Sequence, residues 1–216
     1  MRPYVVRQGD YLTKLAHMMG FEADAVWNHP KNKALKEKRP DRDTLHPGDL
    51  LWLPTNPEHR RLSITAGSTN RYAAVIPKKP LEVRLQVGGE PLPKEPYAIL
   101  GLGPEPILGE SDEQGWIKSQ VDVYVREVEI ILTRKNRTLR VRVGDLDPLD
   151  TISGLKKRLM HLGYYRPGKI GGENQDAVEG EALIAALKAF QSERGLPATG
   201  KLDEETKKAL RDAHGS

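Results

Sequence analysis

The chain has 216 residues, 38% of them hydrophobic and 30% charged, and it contains no cysteine. That length holds one large domain or two to three small ones. The missing cysteine excludes disulfides, thiolate catalysis and zinc–cysteine sites. A net charge of +4 and a pI near 9.2 suit acidic polymers, the cell wall included, without pointing to nucleic acid. No run of 18 apolar residues occurs, so no membrane span is expected. Met1 leads directly into a strand-like run, without the charged, apolar and small-residue order of a signal peptide. The expectation is a cytoplasmic protein, one exported by a signal-less route to the periplasm or cell wall, or one whose leader has been removed.

Residues 1–55 read as a small βααβ unit. Tyr4-Val-Val-Arg7 is a short strand. Gln8-Gly-Asp10 is a turn, and Asp10 is placed to cap the helix that follows. Leu12, Leu15, Ala16 and Met19 recur at helical spacing, and Gly20 closes that helix. A second helix starts near Ala23 and carries Val26 and Trp27. His46-Pro-Gly-Asp49 is a turn, and Leu50-Leu-Trp-Leu53 is a strand that stops at Pro54.

This order resembles a LysM domain. The residues that carry the likeness are Tyr4-Val-Val-Arg-Gln-Gly-Asp-Tyr-Leu12, Leu15-Ala16, Gly20-Phe21 and Leu45-His-Pro-Gly-Asp-Leu-Leu-Trp-Leu-Pro54. The resemblance implies a shallow groove for glycans containing N-acetylglucosamine, peptidoglycan or chitin-like. By position, Gly9, Asp10, Tyr11 and Leu12 would form one lip, and Leu45, His46, Pro47 and Gly48 the other. Two departures stand out. Tyr11 occupies a place where Ser or Thr is usual, and Asn28 to Arg39 is a longer, basic link.

Residues 56–79 read as a linker or lead-in, punctuated by Pro57 and Pro77, with Tyr72-Ala-Ala-Val-Ile76 as a possible first strand. Residues 80–147 read as an all-β sandwich. Leu81, Val83, Leu85 and Val87 alternate with polar residues. Tyr97–Leu100, Gly115–Val121, Val128–Leu132 and Leu139–Val143 follow, bounded by Gly, Pro or Asp. Val83 to Val87, Gly89-Glu-Pro-Leu-Pro93, Tyr97 and Gly109 to Trp116 together resemble transthyretin-like or carboxypeptidase-regulatory-like sandwiches.

Residues 148–216 read as a three-helix all-α module. Thr151–Leu162 places Ile152, Leu155, Leu159 and Leu162 on one face, with Asp150 or Thr151 as cap and Gly163 ending the helix. A second helix begins near Gly180 and carries Leu183, Ile184, Leu187 and Phe190. Asp203 caps a third, in which Thr206, Ala209 and Leu210 face the core. Leu155-Lys-Lys-Arg-Leu159, Leu162-Gly-Tyr164, Ala185 to Gln191, Gly195-Leu-Pro-Ala-Thr-Gly200 and Thr206-Lys-Lys-Ala-Leu210 resemble the three-helix peptidoglycan-binding domain family. Arg166 to Glu179 departs from it, being longer and more acidic than the usual turn. Tyr164 and Tyr165 are candidate sugar-contact residues, with Tyr165 the exposed one if Tyr164 packs in the core.

The fold class expected is therefore multidomain α+β. Chemistry beyond binding has thin support. The six histidines, His17, His29, His46, His59, His161 and His214, include no pair at ligand spacing in one element, so no metal or cofactor is expected. Ser153-Gly-Leu-Lys156 matches a serine–lysine pattern but lacks its partner motifs and reads as the first turn of a surface helix. Glu173 and Asp176 are a chance acid pair with no cleft opposite. Lys31, Lys33, Lys36, Lys38, Arg39 and Arg42 form a basic stretch without interleaved aromatics, better suited to a solvated helix face than to nucleic acid. Trp27 and Trp52 are expected in the core. Two readings of function remain. One is a non-enzymatic peptidoglycan-binding or wall-docking protein. The other, from a loose likeness in domain order, is an accessory scaffold of a contractile injection system such as type VI secretion. In that second reading the partners are spike or effector proteins.

Overall fold

The computed structural model describes residues 1–56, 63–73, 75–87, 89–166 and 175–215, the side chains of 175–179 excepted. The chain forms two compact units. The first consists of Met1–Leu85 and Leu92–Asp145, the second of Gln86–Pro91 and Leu146–Ser216.

The first unit begins with β1 (Arg2–Val5), α1 (Leu12–Met19), α2 (Ala23–Trp27), a 3₁₀ turn (Pro30–Asn32), α3 (Lys33–Lys38) and β2 (Leu50–Leu53). β1 and β2 pair antiparallel, with Pro3 opposite Trp52 and Val5 opposite Leu50. The period-2 alternation sends Leu51 and Leu53 inward, where they join Val6, Leu12, Leu15, Val26, Trp27, Leu35 and Leu45 in one core. Asp10 does not cap α1. Tyr11 holds the cap position without a side-chain bond. The Asp10 carboxylate accepts instead from the Tyr4 hydroxyl at 2.6 Å and the Arg7 N–H at 3.0 Å, closing the turn around Gly9. The basic stretch supplies a helix whose side chains are largely paired within the module. Arg39 is buried and donates to Asp49 at 2.8 Å, Lys38 also reaches Asp49, Arg42 pairs with Asp24, and Lys33 with Glu37. Asn32, also buried, donates to the carbonyls of Val26 and Trp52 and accepts from the Trp52 N–H.

The same unit continues with β3 (Lys78–Arg84). The expected strand at 72–76 is absent from the described residues: Val75 is 87% exposed and the Tyr72 hydroxyl is engaged by the Ser63 carbonyl. In the second unit lies a short ribbon of β4 (Gln86–Val87) and β5 (Glu90–Pro91). Back in the first unit come β6 (Pro96–Leu100), β7 (Ile107–Glu110), β8 (Trp116–Asp122), β9 (Glu127–Leu132) and β10 (Arg137–Arg142). β3 pairs with β8, and a four-stranded antiparallel sheet runs β10-β9-β6-β7. One apolar cluster joins the two sheets, with Leu81 and Leu85, Ile117 and Val121, Ile99, Val128, Ile130 and Leu132 at its centre. β7 was not among the expected strands. Its signal is only Ile107-Leu108 between Pro106 and Gly109. Gly109 makes room there for Tyr97, its partner across the ladder: a Cβ would sit 2.6 Å from the Tyr97 hydroxyl, so the ring would have to shift.

In the second unit lie α4 (Ile152–His161), α5 (Gln175–Glu193) and α6 (Glu204–His214). Thr151 and Asp203 cap α4 and α6, accepting from the Gly154 and Thr206 N–H groups. The core holds Leu155, Leu159, Tyr165, Leu187, Phe190 and Leu210. Ile152, placed by its spacing on the apolar face, is 69% exposed, and Ile184 of the second helix is 47% exposed. Ile152 is the first residue of its helix, ahead of the turn that packs. α5 starts at Gln175 rather than near Gly180.

Candidate functional site

The structure brings the two expected N-terminal lips side by side. Gly48 N–H donates to the Val6 carbonyl and Leu12 N–H to the Arg42 carbonyl, so the loops at 7–12 and 41–49 are stitched together. Their exposure divides them. Leu12 and Leu45 are core residues. Gly9, Asp10, His46 and Pro47 are half-buried, and Gly48 is exposed.

Tyr11 does not present a face to solvent. It is 2% exposed, and its hydroxyl donates to the Val123 carbonyl at 2.8 Å. Gly144 lies against its ring, so close that a Cβ there would meet ring carbons at 3.0 Å. Burial, then the Asp43 charge, pushes the phenol up to about 12. Neighbouring residues extend this contact with the sheet part of the same unit. Gln8 donates to the Asp145 carbonyl, and Lys79 donates to Asp43 at 2.6 Å. Thr13 donates to Asp43 through both N–H and hydroxyl. Burial would raise the Asp43 carboxyl, but the hydrogen bonds from Lys79 and Thr13 outweigh it and hold it below the usual range. Lys14 is buried too and donates to the Gly9 carbonyl at 2.6 Å; burial lowers its ammonium pKa. A tyrosine where a small hydroxyl residue was expected thus serves as an anchor between strands and helix. The other lip is held by Asp49, which accepts from the His46 N–H at 2.9 Å and from Arg39. Burial raises its carboxyl, yet these bonds prevail and lower it.

At the C-terminal end the two candidate tyrosines are separated, and it is Tyr165, not Tyr164, that is buried. Tyr165 is 4% exposed and belongs to the core, with the Lys156 ammonium 5.9 Å from its ring centroid. Tyr164 is half-buried and meets Phe190 edge-on at 5.3 Å. The N–H groups of both tyrosines converge on the Leu159 carbonyl, after Gly163 turns the chain at φ 85°. After that turn Tyr165 lies in the core and Tyr164 packs on its margin, partly exposed. Burial and the neighbouring Glu193 carboxylate raise the Tyr164 phenol.

The turn between α5 and α6 is fixed by one buried amide. Gln191 donates to Thr199 Oγ1, the Lys201 carbonyl and Thr206 Oγ1, and accepts from the Gly200 N–H at 2.8 Å. At the far ends of α4 and α6, His161 Nδ1 and His214 Nε2 lie 2.9 Å apart, with ring centroids at 5.2 Å and planes 19° apart. That is an in-line N–H···N bond, joining two residues that sequence spacing had left unrelated. Burial, then the charges of His161 and Arg158, lowers His214 to about 4.

The other sequence candidates resolve as follows. Ser153 Oγ lies 3.3 Å from Thr151 Oγ1 at the helix cap. No cluster of three or more metal-ligating side chains occurs among the described residues, and no helix of those residues is long and apolar enough to cross a membrane. Glu173, Asp176 and the acidic stretch that follows Arg166 lie outside the described residues or have side chains that do.

No curated protein and no solved structure matches the chain. Residues 150–210, which span α4 to α6, match the family model described as "Putative peptidoglycan binding domain". Over those residues the helical module is similar to that family of putative peptidoglycan-binding domains.

Proposed function

We propose that the chain is a non-catalytic protein that holds peptidoglycan through its helical module. The observation that carries this reading is the family match over 150–210. Its support is that the described residues of the module form a core around Leu159 and Phe190, capped starts for α4 and α6, and an α5–α6 turn held by Gln191. Tyr164, half-buried beside Glu193 and Arg194, is the aromatic edge left for a sugar ring. The N-terminal module, LysM-like in its βααβ order, would add a second, weaker contact through Gly9, Asp10, His46, Pro47 and Gly48. Two weak sites on one polymer give avidity, because the second event is intramolecular.

One observation favours the alternative for the N-terminal module. Tyr11, the residue best suited to a sugar face, is spent within the chain. That fits a docking element, as in an accessory scaffold of a contractile injection system, better than an open glycan lip.

Co-sedimentation of the full chain with purified peptidoglycan sacculi tests the proposal. Pelleting that persists at moderate salt, with no soluble muropeptides released, is expected. Pelleting lost at moderate salt would reduce the interaction to charge attraction, and released fragments would make the protein an enzyme.

A further inference from the structure

The β1–β2 ribbon has an outer face as apolar as its inner one. The register places Pro3 beside Trp52 and Val5 beside Leu50 on that face. Pro3 is exposed, Val5 is 59% and Leu50 48% exposed, and Trp52 is half-buried. A two-stranded ribbon packed on one side ordinarily alternates apolar and polar residues. Here the solvent side carries none of the polar residues that alternation requires.

Both edges of the ribbon are blunted, which leaves the face as the place for recognition. On the β2 edge, Asn32 takes the N–H and C=O of Trp52 as a neighbouring strand would. Since Trp52 points its backbone outward there, Pro3 opposite points its own backbone to the β1 edge. Proline has no N–H to offer an added strand.

The rim is cationic. The 3₁₀ turn and α3 run along β2, fixed at one end by Asn32 on Trp52 and at the other by Lys38 and Arg39 on Asp49. The Lys31 ammonium lies 4.3 Å from the Trp52 ring centroid, and the Lys38 side chain is 60% exposed beside the Leu50 end. The acid on α3, Glu37, pairs with Lys33.

We propose that this face is a docking surface for an acidic protein segment that carries apolar side chains. Val5, Leu50 and the Trp52 edge take the apolar groups. Lys31 takes a carboxylate at the rim, and the Lys38–Arg39–Asp49 group, net positive, adds to the charge that sets orientation and association rate. A second copy of this chain is a poorer occupant, because two such faces would bring their lysine rims together. The residues of this face all belong to the first unit, so the proposal does not rest on peptidoglycan binding by the helical module.

The test uses the full chain and two labelled polymers read by fluorescence anisotropy: a random glutamate–tyrosine copolymer and polyglutamate of equal length. The copolymer is expected to bind at least tenfold more tightly than polyglutamate. The double variant V5T/L50T, checked for an unchanged circular dichroism spectrum, should lose that tenfold advantage while keeping polyglutamate binding. Lys31→Glu should weaken both polymers. Equal binding of the two polymers, or a double variant that behaves as wild type, overturns the proposal. A sedimentation-equilibrium mass that doubles in wild type and not in V5T/L50T would overturn it in favour of self-association. Sacculus pelleting lost in V5T/L50T would overturn it in favour of glycan. Equal pelleting of wild type and variant is the expected result.

Discussion

The two ends of the chain each carry tyrosine at a place where a glycan site was expected, and they use it in opposite ways. At the N-terminal end, Tyr11 is sealed against Gly144 and bonded to Val123. At the C-terminal end, a glycine turn separates Tyr164 from Tyr165, so that one builds the core and the other keeps an edge in solvent. The residue type is the same. What differs is the backbone around it. A side chain at the start of a helix, facing a glycine of a neighbouring strand connection, is drawn inward. A side chain just after a left-handed glycine can be turned out. Aromatic residues near a loop are therefore poor evidence for sugar binding until their packing is known.

Several substitutions would break or sharpen that contrast. The largest effect is expected at Gly154, in the first turn of α4. A Cβ there would meet the Pro148 carbonyl oxygen at 2.0 Å, and backbone cannot yield as a side chain can. Gly154→Ala should remove the helical module's cooperative unfolding transition, or lower its stability by more than about 3 kcal/mol, measured by urea titration. Removing Asp49 takes away the carboxylate that pairs with the buried Arg39, so Asp49→Ala should cost about 3–5 kcal/mol. Tyr11→Ala belongs in the same range, about 3–5 kcal/mol, as for other buried aromatic truncations. Tyr164→Ala, at a half-buried site, should cost clearly less by the same urea titration. Tyr11→Phe keeps the packing and loses one hydrogen bond, for about 1–1.5 kcal/mol. Arg140→Ala breaks only an exposed cross-strand pair with Glu129 and should change stability by less than about 1 kcal/mol.

Acid sharpens the contrast further. Asp43 and Asp49 both have folded-state carboxyls held below their ordinary value of 3.8. Each contributes stability that is fully present above that value and is lost as pH falls through the lowered one. The N-terminal module should therefore weaken on acidification below about pH 4, and Asp43→Asn should flatten that limb of the stability-versus-pH curve. A slope unchanged by the substitution would contradict the assignment.

Much of the fold is legible in the sequence because local signals agree with one another. Thr151 and Asp203 cap helices whose apolar spacing already marks them, and Gly20 and Gly163 end helices in left-handed turns. The apolar run Leu50 to Leu53, stopped by Pro54, and the alternation in Leu81 to Leu85 mark strands. What escaped is long-range. Nothing near Tyr11 in the chain announces Gly144. Asp10 resembles a cap, but Tyr4 and Arg7 claim its carboxylate first. His161 and His214 meet only because α4 and α6 end together. β7 is too short to carry a periodic signal. The basic stretch at 31–42 reads as a charge run, whereas buried Arg39 and Asn32 make it a structural brace for β2.

The central claim is that wall binding rests on the helical module while the N-terminal tyrosine is structural. Sacculus co-sedimentation of wild type, Tyr164→Ala and Tyr11→Phe at moderate salt tests it most directly. The account predicts that Tyr164→Ala loses most of the pelleted fraction while Tyr11→Phe pellets as wild type. Loss of pelleting in Tyr11→Phe, with Tyr164→Ala unchanged, would contradict it.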